Sequence, residues 1–303
     1  GTLSKNYSRI KIIEALEAKN TNHSQDIDYI FVDESQDLTA VDLKALKLLA
    51  ERAVVMAGDV DQSIYGVGSP YKRAGIDIVG RTRILKTNFR NTCPIHDIAE
   101  SYRMAAGAGF FDEANVPKAF REGPVPELYQ ADTERELQEL LLNRIVLFTD
   151  RLGYDPENIT ILAPTKIQIE ALSSSLRGRG FEVANIRDDE FSFRQEKVIR
   201  LSTLHSSKGL DFAVVLLYLP GLSRLSQYDE PAADKLLRNL IYVAMTRAMD
   251  NLNVFLLRQP VEPSLRDLVR VFSEYQERQE AAAGGLQINH KSPEGTAQKQ
   301  AKQ

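Results

Sequence analysis

Apolar residues recur along this chain in two alternating rhythms. Between residues 8 and 19, Ile10, Ile12, Ile13 and Leu16 stand among charges, the spacing of an amphipathic helix. Tyr29-Ile30-Phe31-Val32 is then a continuous apolar run, which predicts a strand buried on both faces. Leu43, Leu46, Leu49 and Ala50 return to the helical spacing, and Ala53-Val54-Val55-Met56 is a second short apolar run. A further strand is expected to end near Leu85, followed by a helix from Ile95 to about Met104. Residues 107–126, rich in Gly, Pro and charge, read as a loop. Beyond them Leu137, Leu140, Leu141, Ile145 and Phe148 share one helical face. Ile159-Thr160-Ile161-Leu162 reads as a strand, and Ile169, Leu172 and Leu176 mark the next helix. Strands are predicted at 181–185, 197–202, 213–219 and 252–257, with a helix at 234–248. Strand–helix alternation of this kind predicts an α/β protein whose parallel sheets are covered by helices. From about Ala281 the chain is Gly, Ala, Gln, Lys and Ser with few apolar residues, the composition of a disordered tail.

Composition changes this picture little. The 303 residues suggest about two domains, and 43% hydrophobic with 26% charged content is ordinary for a globular chain. No apolar run is long enough to span a bilayer and no signal segment opens the chain, so a cytoplasmic address and no membrane partner are expected. Cys93 is the only cysteine, which excludes an intrachain disulfide, and the four histidines are scattered without metal-ligand spacing. With a net charge of −4, any nucleic-acid contact must come from a local groove and not from bulk charge.

Chemistry is concentrated in five blocks. Asp33-Glu34-Ser35-Gln36-Asp37 follows the first buried strand. Adjacent carboxylates there can hold Mg²⁺ through one acid and orient a water with the other. They can equally be an acidic turn that caps the next helix. Gly58-Asp59-Val60-Asp61-Gln62-Ser63-Ile64-Tyr65-Gly66 offers a glutamine able to sense a terminal phosphate and a tyrosine on which a base can stack, or is merely a Gly/Asp turn. In Leu85-Lys86-Thr87-Asn88-Phe89-Arg90-Asn91-Thr92 a planar guanidinium suited to phosphate adjoins a ring suited to a purine, although Arg90 can also be an ordinary surface residue. Leu201-Ser202-Thr203-Leu204-His205-Ser206-Ser207-Lys208-Gly209-Leu210-Asp211-Phe212 places hydroxyls, His, Lys and Gly between two strands, where they can bond a phosphodiester backbone; His205 alone reads equally as a structural histidine. Leu240-Ile241-Tyr242-Val243-Ala244-Met245-Thr246-Arg247-Ala248 puts an arginine late in a helix, either a finger toward a phosphate or a cation favoured by the helix dipole.

In this order the five blocks resemble helicase motifs II, III, IV, V and VI of the UvrD/Rep family of superfamily 1 DNA helicases, over residues 28–257. The resemblance implies two RecA-like domains that bind ATP in the cleft between them and step along single-stranded DNA. It implies that Asp33 binds Mg²⁺, Glu34 activates water and Gln62 senses the γ-phosphate. Phe89 would pack near adenine, Arg90 and Arg247 would contact phosphate, and Asp211 would hold the ribose where the family usually has Glu. Tyr65, Thr203 and His205 would face DNA.

The chain departs from the family pattern at three places. No Gly is followed by Lys, so the GxxxxGK[ST] phosphate loop is not in these residues. Gly66-Val67-Gly68 stands where the family has an aromatic residue and an Arg after Tyr65. The stretch between Arg90 and Thr203 is too short for the family's large accessory insertion. The expected layout is therefore the end of a first RecA-like domain over 1–84, incomplete and exposing apolar surface, and a second over 85–260. A C-terminal helix over 261–280 and a disordered tail over 281–303 complete it. The expected function is ATP-driven translocation or unwinding on single-stranded DNA, with a Walker A segment of the same protein supplied upstream and this portion inactive by itself. The alternative is a helicase-like module that binds nucleic acid or a partner without hydrolysing ATP. A metal nuclease built on Asp33, Glu34 and Asp37 leaves the other four blocks unexplained.

Overall fold

The computed structural model of the protein describes residues 5–18, 27–58, 70–78, 80–83, 85–105, 118–221 and 230–288. Its largest element is a six-stranded sheet in which every pairing is parallel. The strands are β5 (Glu127–Ala131), β6 (Ile159–Ala163), β7 (Val183–Asn185), β8 (Ile199–Thr203), β9 (Phe212–Leu219) and β10 (Ala248–Leu257), in the spatial order β5-β10-β9-β6-β8-β7. Parallel strands need crossovers, and helices on both faces supply cover.

The alternation of side chains along β9 shows how the two faces are filled. Val214, Leu216 and Tyr218 join one apolar cluster with Leu137, Leu141 and Ile145 of α5 (Glu134–Val146) and Ile169, Leu172 and Leu176 of α6 (Lys166–Arg177). Val215, Leu217 and Leu219 join the opposite cluster, built by α4 (Cys93–Ala105), α7 (Glu230–Met245) and α8 (Pro263–Ile288). An unbroken apolar run is thus required, because both faces are covered. Each such side chain contributes about 1.5–3 kcal/mol by leaving water.

The N-terminal part is smaller. Strands β1 (Tyr29–Val32) and β2 (Ala53–Met56) pair in parallel, and α2 (Ala40–Leu49) connects them. Helix α1 (Lys5–Glu17) packs on α2, joined by the Arg9–Asp42 and Lys44–Glu17 ion pairs. The expectation that β1 is buried on both faces is not met. Phe31 is 78% exposed, and Tyr29 and Val55 are about half exposed. Tyr29, Phe31 and Val55 share one face of the two-stranded sheet, and among the described residues that face is largely exposed.

Other boundaries move. No strand ends at Leu85; the strand is β3 (Thr87–Thr92), which pairs in parallel with β4 (Lys118–Arg121) inside the stretch expected to be loop. Its periodicity was hidden because Asn and Thr, not apolar residues, fill its inward positions. Short helix α3 (Pro70–Arg73) packs on α2, with the Tyr71 hydroxyl bonded to the Ser35 hydroxyl in the turn after β1 at 2.8 Å. Helix α8 continues to Ile288, beyond its expected end near 280, through the helix-favouring Ala281-Ala282-Ala283. The remainder of the expected tail, 289–303, lies outside the described residues.

Candidate active site

The Asp33–Asp37 block leaves the carboxyl end of β1 as a sharp turn. Glu34 has φ 50°, a left-handed conformation costly for a residue with a side chain. The turn is held on both sides: Ser35 N–H donates to the Ala57 carbonyl at 2.9 Å, and Glu34 N–H to Asp33 Oδ1 at 2.8 Å. The acids do not cap α2. Thr39 does so, in a reciprocal box with Asp42. Asp33 and Glu34 are therefore released from the capping role that sequence allowed them, and Asp33 is exposed.

The partners of this turn come from the far end of the chain. Residues 204–211 run from the carboxyl end of β8 to the amino end of β9 and carry Lys208 to the acidic turn. Its Nζ lies 2.6 Å from Asp37 Oδ1 and 3.7 Å from Glu34 Oε2, with the side chain only 10% exposed. Sequence reasoning placed this lysine among groups able to bond a phosphodiester; the structure pairs it with carboxylates instead.

Beside it, Asp211 receives two arginines. Arg90 Nε is 2.8 Å from Asp211 Oδ1, and an Arg247 terminal nitrogen lies 3.8 Å from the same oxygen. Arg247 is not inside α7 but in the turn after it, almost wholly buried. Its Nε donates to the Val243 carbonyl at 3.0 Å, so it does satisfy the end of the helix as the bland reading supposed. Its outer edge nevertheless meets Asp211. Burial is the main influence lowering its pKa, with the Arg90 charge next; Asp211 and Glu34 oppose both. The carboxyl end of the two-stranded sheet thus meets the amino ends of β9 and β10, and the junction is lined by opposite charges.

Strand β3 is locked to this junction by Asn91. Its buried amide donates to the Thr246 carbonyl at 3.0 Å and the Ala248 carbonyl at 2.6 Å, while Asn88 accepts from the Arg90 and Asn91 N–H groups. That local turn aims Phe89 outward, 76% exposed, and stacks it with Phe120. Thr203 ends β8, its hydroxyl donating to Ser206 Oγ at 2.9 Å. Partial burial first, then the Lys208 and Arg187 charges, lower the pKa of His205 below 6.5. Gln62 and Tyr65 lie outside the described residues.

Arg90, Asp211 and Arg247 are thus neighbours, Glu34 is linked to their segment through Lys208, Asp33 precedes Glu34 in the same turn, and Thr203 and His205 stand on the segment that carries Lys208 and Asp211. Lys208, Asp37 and Asn91 stand inside the sequence blocks but were given no part in the nucleotide site, and Phe120 was not singled out. Their roles rest on partners distant in sequence, which no local spacing announces. Among the described residues no group of three or more His, Cys, Asp or Glu side chains could hold a metal. Mg²⁺ does not need one: it is commonly held by one or two carboxylates with substrate phosphates and water, and exposed Asp33 fits that mode.

The fold is parallel α/β, with an acidic turn near the exposed Arg90 and the buried Arg247. Residues 6–78 match the UvrD/REP helicase N-terminal domain family, and residues 182–259 match the UvrD-like helicase C-terminal domain family. The chain is a member of the UvrD-like helicases of superfamily 1. It is 24% identical over 189 residues to the ATP-dependent DNA helicase PcrA of Leuconostoc citreum, covering 57% of this chain and 24% of that protein's length. Among solved structures, the C-terminal domain of a possible DNA helicase from Lactobacillus plantarum aligns with 60% of this chain and 94% of its own, at 17% identity and a TM-score of 0.43. The PRRSV helicase aligns with 74% of this chain and 34% of its own, at 17% identity and a TM-score of 0.37. Among the described residues no helix is long and apolar enough to cross a membrane.

Proposed function

We propose that this chain forms part of an ATP-dependent translocase or helicase on single-stranded DNA, with ATP hydrolysed between two RecA-like units, 1–84 and 85–260. The observation that supports the reading best is Lys208, 2.6 Å from Asp37 and 3.7 Å from Glu34 in the turn after β1, on the same segment as Asp211, which pairs with Arg90 and Arg247. Residues far apart in sequence have no structural need to bring two acids and two arginines together at one junction.

In this reading Asp33 holds Mg²⁺, which when bound neutralises charge on the β- and γ-phosphates. The Glu34 carboxylate orients the attacking water and accepts its proton. Gln62 senses the γ-phosphate. Arg90 and Arg247 face the charge that develops on the transferred phosphoryl group, where fixed cations contribute most. Asp211 accepts from ribose hydroxyls and Phe89 stacks on the base. Thr203, His205 and Tyr65 lie on the DNA side, linked to the hydrolytic side through 204–211. The reading requires a GxxxxGK[ST] loop supplied from outside these residues.

The test is ATP hydrolysis by the complete protein with and without single-stranded DNA. DNA-stimulated turnover abolished by Glu34→Gln supports the reading. Background hydrolysis with retained DNA binding would instead mark a helicase-like binding module.

A further inference from the structure

The geometry points to Phe120 as a second nucleobase-binding residue, forming with Phe89 a two-ring platform for the purine of the bound nucleotide. The proposal rests on the ATPase reading above and names a residue that neither the motif pattern nor the chain's local spacing marks.

Phe120 lies on β4, one step beyond the Asn88–Ala119 pair of the β3–β4 ladder, so its ring stands beside that of Phe89. The ring centroids are 6.3 Å apart and their planes within 24°. Cross-strand aromatic pairs commonly stabilise a sheet by burying each other. Here that explanation is insufficient, because Phe89 remains 76% and Phe120 65% exposed. Two large rings with nearly parallel planes, both left largely in water, offer apolar ring faces that suit a planar ligand.

The surroundings select which planar ligand. Arg90 follows Phe89 directly and reaches Asp211 at 2.8 Å, and Arg247 lies 3.8 Å from the same carboxylate. Leading away from Phe89, the contacts run from the Arg90 guanidinium to the Asp211 carboxylate and on to Arg247. A ring surface with a hydroxyl-accepting carboxylate and two phosphate-binding guanidinium groups nearby suits a nucleotide better than an apolar peptide or a sugar alone. The platform is also anchored. Arg121, next to Phe120, donates to the Arg90 carbonyl at 2.6 Å and to the Met249 carbonyl at 3.3 Å, and it pairs with Asp250. Asn91 fixes the other strand. Both rings are therefore held without contributions from the base.

Stacking reads area and not hydrogen-bond pattern, so the platform favours purines over pyrimidines while discriminating little between adenine and guanine. The experiment uses the complete protein and compares Phe120→Ala, Phe120→Trp and Phe89→Ala in steady-state hydrolysis of ATP, GTP and CTP with saturating single-stranded DNA. Phe120→Ala should raise KM for ATP and GTP roughly ten-fold with kcat changed less than two-fold, since one stacked ring is lost and the phosphate end is untouched. Phe120→Trp should restore KM, and the preference of ATP over CTP should shrink in Phe120→Ala. An unchanged KM in Phe120→Ala beside a raised KM in Phe89→Ala would overturn the two-ring platform and leave the ATPase reading standing. No nucleotide hydrolysis or binding by the unsubstituted protein would overturn both.

Discussion

Lys208 and Asp37 are 171 positions apart, yet the lysine ammonium lies 2.6 Å from the carboxylate in a pair largely shielded from water. It connects the turn after β1 to the segment between β8 and β9, and Glu34 lies 3.7 Å from the same nitrogen. The lysine therefore ties the Glu34 turn to the Thr203–Asp211 segment.

Removing that connection should weaken the junction. Lys208→Ala is expected to destabilise the protein by about 1–3 kcal/mol, between the small value of exposed pairs and the larger one of buried pairs. Urea titrations of Lys208→Ala, Asp37→Ala and the double variant form the measurement. Additive effects within about 0.5 kcal/mol would show that the pair contributes nothing of its own.

Asn91 should matter through the hydrogen bonds it supplies. Asn91→Leu leaves the Thr246 and Ala248 carbonyls without their buried donor, and a loss on the order of 2–4 kcal/mol is expected. Thermal unfolding would register it, and a melting temperature equal to that of the unsubstituted protein would refute this role.

Arg247→Ala and Arg90→Ala, in the complete protein, should each remove most DNA-stimulated ATP hydrolysis while affecting nucleotide affinity less. Both guanidinium groups act on charge that builds in the transition state. Arg247→Lys should not rescue, because an ammonium cannot serve Val243, Thr246 and Asp211 together. Near-normal kcat in both alanine variants would remove them from the hydrolytic site.

His205 should titrate below 6.5, as followed by its imidazole resonances in a pH series. Its folded value lies under its unfolded value, so the unfolded chain takes up the proton first on acidification. The His205 contribution to stability is therefore present above pH 6.5 and lost as pH falls toward the folded value. At neutral pH the ring is uncharged, and His205→Gln should leave the salt dependence of DNA binding unaltered. A slope reduced by about 0.7, the expectation for one neutralised phosphate on a single strand, would contradict this.

Residues 1–303 by themselves should show no DNA-stimulated ATPase activity, since cradling of the β- and γ-phosphates is assigned to a loop they do not contain. Turnover by this chain that is lost in Glu34→Gln would reveal a phosphate site built from other residues.

What the sequence determined by itself is the parallel α/β class, because continuous apolar runs such as Ala213–Leu219 can be satisfied only where helices cover both faces of a sheet. It also determined the identity of the acidic and basic groups, whose types and order carry the family resemblance. It could not show β3, whose inward positions are polar, or β4, whose one inward residue is Ala119, and their pairing joins residues on either side of 106–117. Nor could it show that Thr39 caps α2 and so releases Asp33 and Glu34 from that task. Only the tertiary structure decided that Lys208 meets Asp37, that Arg247 turns from the end of α7 toward Asp211, and that Phe120 stands beside Phe89. Each is a pairing over long sequence distance. Local propensity is set by neighbours within a turn or a strand, whereas such pairings are chosen by how the two sheets and their crossovers pack.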